Sequence, residues 1–208
     1  MRGVDAPLQS FSPGPPHVHA CAGTIDVWRA DLTAIEDGLE DLLRADERAR
    51  AERIVPARKR VLWAHSRGVL RALLGRYLER DPRALRFELG PHGKPALASE
   101  GPTRPEAAAD LRFNLSHSGG LALVAVSAGR EVGVDVERTR PRYTAAFLHD
   151  WVLREARTKC LGTGLSGPQA GPAAADPWTA ELDVGPGDYA AVAVEGGECE
   201  LHRWDWRG

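Results

Sequence analysis

The chain alternates between two kinds of apolar pattern. Thr24 to Trp28 (TIDVW) places apolar residues at every second position, the period of a strand with one buried face. Val61 to Leu78 follows a different rule. Leu62, Val69, Leu70, Leu73, Leu74, Tyr77 and Leu78 recur at steps of three and four, which predicts a long amphipathic helix. Arg60, Arg67 and Arg71 form a separate stripe of that helix. Asp31 to Arg50, just before it, is charged and helix-prone. Asp81-Pro82 breaks the helix, and Leu85 to Leu89 reads as a strand. Gly90 to Pro95 (GPHGKP) is a turn.

The second part repeats the alternation of strands and a helix. Leu111 to Leu115 reads as a strand that opens into a polar loop, Ser116 to Gly120. Leu121 to Ala128 (LALVAVSA) is almost wholly apolar, which predicts a strand buried on both faces. Val132 to Glu137 is a further strand, Thr144 to Leu161 a helix stopped by Gly162, and Tyr189 to Val194 a buried strand. Glu100 to Ala109 is a Pro/Ala-rich connector, and Gly164 to Pro177 a Gly/Pro/Ala loop. The expected organisation is a disordered lead-in at 1–19, an N-terminal α+β half at 20–104 and a C-terminal α+β half at 105–208 that carries a metal site. The fold class is α+β: two pseudo-duplicated halves, each a small antiparallel sheet packed with a long helix.

Composition narrows the class without naming a function. Apolar residues make up 43% and charged residues 27%, ordinary for a globular protein with a sizeable core. The formal net charge of −2 argues against a nucleic-acid partner. No apolar run reaches the roughly 18 residues that span a bilayer, and no basic-then-apolar leader opens the chain, so the expected location is cytoplasmic. Three widely spaced cysteines without a CxxC fit reduced thiols. His17 and His19 lie in the lead-in and suggest no metal site. The basic residues are the informative part. Of 27, only Lys59, Lys94 and Lys159 are lysine, and two of these fall in motifs. A lysine kept against an arginine-rich background suits a site that needs a compact ammonium.

Four short constellations carry chemistry. In Gly133-Val134-Asp135-Val136-Glu137, strand geometry points Asp135 and Glu137 to one face and the valines to the other. Adjacent carboxylates repel, and a divalent cation relieves the repulsion; alone, the pair also reads as a solvated strand face. Trp151, Glu155 and Lys159 share one helical stripe, which alone is equally an ordinary surface ion pair. Phe113 to Gly120 (FNLSHSGG) offers small polar groups and His117 to an anion, or is a turn with a capping serine. It lacks the GxSxG of a hydrolase elbow. Gly93-Lys94-Pro95 has neither the glycine spacing nor the Ser/Thr of a P-loop.

The order GKP, FNLSHS, GVDVE, WxxxEAxxK resembles the 4'-phosphopantetheinyl transferase superfamily, of the type that carries two halves in one chain. The resemblance covers roughly residues 24 to 206 and extends to Arg67-Gly-Val-Leu-Arg71. It implies an enzyme that moves the 4'-phosphopantetheine arm of coenzyme A onto a serine of an apo acyl or peptidyl carrier protein, with Mg²⁺, releasing 3',5'-ADP. It further implies that Asp135, Glu137 and Glu155 bind the metal. Glu155, or a water on the metal, takes the serine proton, and Lys159 contacts the transferred phosphate. Ser116, His117 and Lys94 are implied at the nucleotide, and Arg50 and Arg67 at its 3'-phosphate. The resemblance implies a monomer and does not choose among fatty-acid, polyketide and nonribosomal-peptide carriers. Two departures are small: Arg154 stands where the family has lysine, and Cys160 where it has alanine. A larger one is that only 13 residues separate Glu137 from Trp151, too few for the longer family segment that helps form the carrier surface. A homologue that binds coenzyme A or a carrier without transfer is the alternative this departure raises.

Overall fold

A computed structural model describes residues 10–35, 38–90, 92–98, 110–163 and 176–208. Described residues form ten strands and three α-helices. In chain order they are β1 (Ser12–Pro13), β2 (Thr24–Asp31), α1 (Ala45–Glu52), α2 (Ala57–Leu78), β3 (Phe87–Leu89), β4 (Pro95–Leu97), β5 (Leu111–Ser118), β6 (Leu121–Ala128), β7 (Val132–Arg138), α3 (Ala145–Leu161), β8 (Trp178–Leu182), β9 (Asp188–Val194) and β10 (Glu200–Asp205). The expected connector at 100–109 and most of the loop at 164–177 lie outside the described residues.

The strands build a five-stranded sheet, β1-β10-β2-β6-β5, a three-stranded sheet, β7-β9-β8, and the hairpin β3-β4. Side-chain alternation shows how they stack. On β6, Ala122, Val124 and Val126 join Val69, Leu70, Leu73 and Leu74 of α2. The intervening Leu121, Leu123 and Ala125 meet Val134 and Val136 of β7 and Val192 and Val194 of β9. On β9, Ala191 and Ala193 turn the other way, onto Val152, Ala156 and Cys160 of α3. The layers therefore run α2, large sheet, small sheet, α3. β6 is buried on both faces, as its unbroken apolar run predicts.

The α+β class with one long helix on each sheet matches the expectation, but the sheets are not divided at residue 104. Three of the five strands of the large sheet (β5, β6 and β10) come from beyond it. That sheet is also not purely antiparallel, since β10 pairs in parallel with both β2 and β1. Residues 10–19, expected outside the fold, belong to it: Ser12 and Pro13 pair with β10, and Phe11 and Val18 are buried. The predicted helix over Asp31 to Arg50 is a 3₁₀ turn, Leu39–Leu42, followed by the short α1. Ser116, His117 and Ser118 lie on β5 and not in a loop.

Candidate active site

The GVDVE strand and α3 meet backbone to backbone. A Cβ on Gly133 would sit 2.1 Å from the Ala156 carbonyl oxygen and 2.3 Å from the Cys160 nitrogen. Only glycine permits that approach. It brings α3 against β7 so that the stripe of Glu155 and Lys159 falls over Asp135. The 13-residue connection is long enough for this, because β7 runs to Arg138 and α3 starts at Ala145.

Asp135 is 4% exposed. Its Oδ1 accepts from Lys159 Nζ at 2.6 Å and from Ser116 Oγ at 2.9 Å. Its Oδ2 is buried with no hydrogen-bond partner, and so is Oε1 of Glu155. Burial, then the charge of Asp135, raises the Glu155 carboxyl above its ordinary value, against the pull of Lys159; Glu137 adds to the rise. The three carboxylates thus share one electrostatic neighbourhood. They do not form a closed cage: among the described residues, no three His, Cys, Asp or Glu side chains gather to hold an ion. The Lys159 ammonium lies on Asp135, and Glu137 is turned to Ser118, whose hydroxyl donates to Oε2 at 2.9 Å.

β5 supplies the polar frame of this strand. Asn114, Ser116 and Ser118 alternate along β5, and their side chains accept from the backbone N–H groups of Val134, Val136 and Arg138 at 2.9, 3.4 and 3.2 Å. The two sheets are joined here by side chains where a backbone ladder would otherwise run. The serine hydroxyls then donate to Asp135 and Glu137 and orient them. Ser116 stands on a strand and not in a loop, and its Oγ is engaged by Asp135, Lys159 and the Val136 N–H in the free protein. The signal was present as the alternation Asn-x-Ser-x-Ser.

Above Lys159 opens a cleft of 880 Å³, lined by Arg44, Arg50, Arg67, Arg71, Arg86 and Lys159, with Trp63, Phe87, Ser116 and His117 among its other walls. A recess of 230 Å³ holding Glu155 shares Gly93, Pro95, Leu115 and Lys159 with it. So many guanidinium groups in one concavity suit a ligand with several phosphates. Arg67 lies beneath: its Nη2 donates to Glu47 Oε1 at 2.8 Å, and its guanidinium is 5.0 Å from the centre of the Phe87 ring. Arg50 stacks over Trp63 at 5.6 Å. Desolvation by the cleft walls and then the charge of Lys159 draw the His117 imidazole below the usual histidine value, although part of its surface is open to solvent.

Lys94 departs from expectation. Its Nζ donates to Glu131 Oε2 at 2.6 Å, to the Val132 carbonyl at 3.0 Å and to the Cys160 carbonyl at 3.2 Å. An ammonium has three protons, and all are used. Lys94 fastens the β3-β4 hairpin to β7 and α3 and does not face the arginine cleft. Glu47 escaped the sequence reading, and Arg71 enters it only as part of a helix stripe. Glu47 is 6% exposed, and its carboxylate joins Arg67, Arg71 and the Arg44 N–H. The shared stripe of Arg67 and Arg71 was the available hint of a buried acid between them.

A sequence profile described as 4'-phosphopantetheinyl transferase, N-terminal, matches residues 28–129. The chain is 31% identical over 186 residues to the 4'-phosphopantetheinyl transferase HetI of Nostoc sp., covering 76% of each chain. It is 28% identical over 162 residues to a 4'-phosphopantetheinyl transferase of Bacillus subtilis, covering 61% of this chain and 68% of that one. The chain belongs to the 4'-phosphopantetheinyl transferase family, and it is an enzyme of that class.

Proposed function

We propose that the protein acts as a cytoplasmic monomer that transfers the 4'-phosphopantetheine arm of coenzyme A to a serine of an apo acyl or peptidyl carrier protein, with Mg²⁺. The observation that carries this is the arginine cleft opening onto Lys159 and Glu155 directly above the buried Asp135. Arg50, Arg67 and Arg86 would take the nucleotide phosphates, with His117 as a hydrogen-bonding group at the same wall. The donor set fits a magnesium ion: hard oxygen ligands, of which Asp135 Oδ2 and Glu155 Oε1 are buried without partners. Asp135, Glu155 and Glu137 would hold it, and when bound it would offset negative charge on the pyrophosphate.

The transfer makes one phosphorus–oxygen bond and breaks another. The carrier serine oxygen attacks the phosphorus that bears the pantetheine. The bond from that phosphorus to the bridging oxygen breaks, and 3',5'-ADP departs with the electron pair. Glu155, which lines the recess beside Lys159, would accept the serine proton. Lys159 donates to the oxygens of the transferred phosphoryl group as their charge develops. For this it must leave Asp135, its partner in the free protein.

Intact-mass spectrometry of a panel of apo carrier proteins, incubated with the enzyme, coenzyme A and Mg²⁺, tests the proposal. A phosphopantetheine-sized mass gain that a chelator abolishes is expected. A gain unaffected by chelator would remove the metal from the scheme. No gain on any carrier would overturn the transfer.

A further inference from the structure

One stripe of α3 serves two purposes. Phe147, Trp151, Glu155 and Lys159 recur every four residues, each step about 6 Å along the axis. The second pair belongs to the chemistry. The first pair, extended by Tyr143 ahead of the helix cap Thr144, forms a column of rings. Tyr143 and Phe147 stack at 4.9 Å and 17°, and Phe147 and Trp151 at 5.7 Å and 27°. A guanidinium closes each end: Arg142 lies 4.7 Å over Tyr143, and Arg154 lies 4.9 Å over Trp151.

Core packing accounts for only one end of the column, where Trp151 leans on the cluster of Val152, Ala156 and Cys160. The buried stripe of α3 is a different one, Leu148, Val152, Ala156 and Cys160. Phe147 is 42% exposed. Arg142 and Arg154 at its ends are exposed as well, and Asp150 is the one acidic side chain on the first two turns of α3. Rigid aromatic rings flanked by arginine are the composition of an interface anchor.

We propose that this column docks the protein that supplies the acceptor hydroxyl, and that it takes an acidic segment bearing an exposed apolar side chain. The proposal rests on the transfer function above. The arginines at both ends select the acidic character, and the rings select the apolar side chain. Placement supports the same partner. Phe147 and Glu155 are eight residues apart, about 12 Å along the helix. A protein seated on the rings therefore brings its hydroxyl to the recess that holds Glu155.

The test is steady-state transfer to an apo acyl carrier protein by wild type, Phe147→Glu, and Arg142→Glu with Arg154→Glu. Each variant is checked for an unchanged melting temperature, and Phe147→Ala replaces any that fails. The expected result is a rise of roughly tenfold or more in KM for the carrier, an unchanged KM for coenzyme A, and a wild-type KM that climbs with salt. Transfer by wild type with carrier KM unaltered in the variants would overturn the docking surface and leave the transfer standing. Absence of transfer by wild type to every carrier would overturn both. A wild-type dimer in solution that Phe147→Glu dissolves, with carrier KM unchanged, would assign the column to a second copy of the chain and overturn the carrier.

Discussion

Glu47 and Asp135 are both buried carboxylates, 6% and 4% exposed, and each meets cations from a long helix. Their conditions differ. Glu47 has both oxygens in use, with Arg67 and the Arg71 guanidinium on either side and the Arg44 N–H completing the set. Burial alone would raise its carboxyl, yet the Arg71 and Arg44 hydrogen bonds and the Arg67 charge hold it below its ordinary value. Asp135 has one oxygen bonded and one left over, beside a Glu155 that also has an unpartnered oxygen. A protein that only needed stability would have satisfied both places. The matched group is scaffold for the arginine cleft. The unmatched group keeps capacity for a ligand, and its cost is retained in the free protein.

Three substitutions break this contrast. The largest effect is expected from Glu47→Ala, which strands Arg71, a residue 1% exposed, without its carboxylate. It should cost about 3–5 kcal/mol, read by urea denaturation. Glu155→Gln should do the reverse. It removes a charge that burial and Asp135 oppose, so the melting temperature should stay at or above wild type, while kcat falls roughly 10²–10³-fold, the size of one lost catalytic interaction. A Glu155→Gln protein that melts lower and transfers normally would make Glu155 a scaffold residue. The smallest effect is in acid. Glu47 has a folded pKa below its ordinary 4.5, so its stabilisation is full above that value and is lost as the pH falls through the lowered one. Glu47→Gln should therefore flatten the acid limb of the melting-temperature profile below about pH 4.5.

The elements that bury apolar residues in a regular period were legible in the chain: α2, β6, β7, α3 and β9 stand close to where periodicity puts them. The polar strands were not. Ser116 to Ser118 looks like a loop because small polar residues usually mark one, but here they are polar in order to face β7. β10 and β1 gave no periodic signal, because their strand character comes from pairing with β2 and with each other. Asp135, Glu155 and Lys159 could be chosen from motif order. The three hydrogen bonds of Lys94 could not, since Glu131, Val132 and Cys160 are brought to it only by the packing of α3 on β7.

The placement of β10 bears on how the chain is made. Thr24 pairs with Glu200 and Arg29 with Asp205, so one side of β2 stays open until about 170 further residues have been made. α2 and β6 can reach β2 while the ribosome is still working, but its last neighbour arrives only when residues 200–205 emerge. Closure across that span is slow, because the loop entropy is paid before the pairing repays it. During that interval the nascent chain presents an open strand edge, with Ile25 and Val27 uncovered on the side that β10 will occupy.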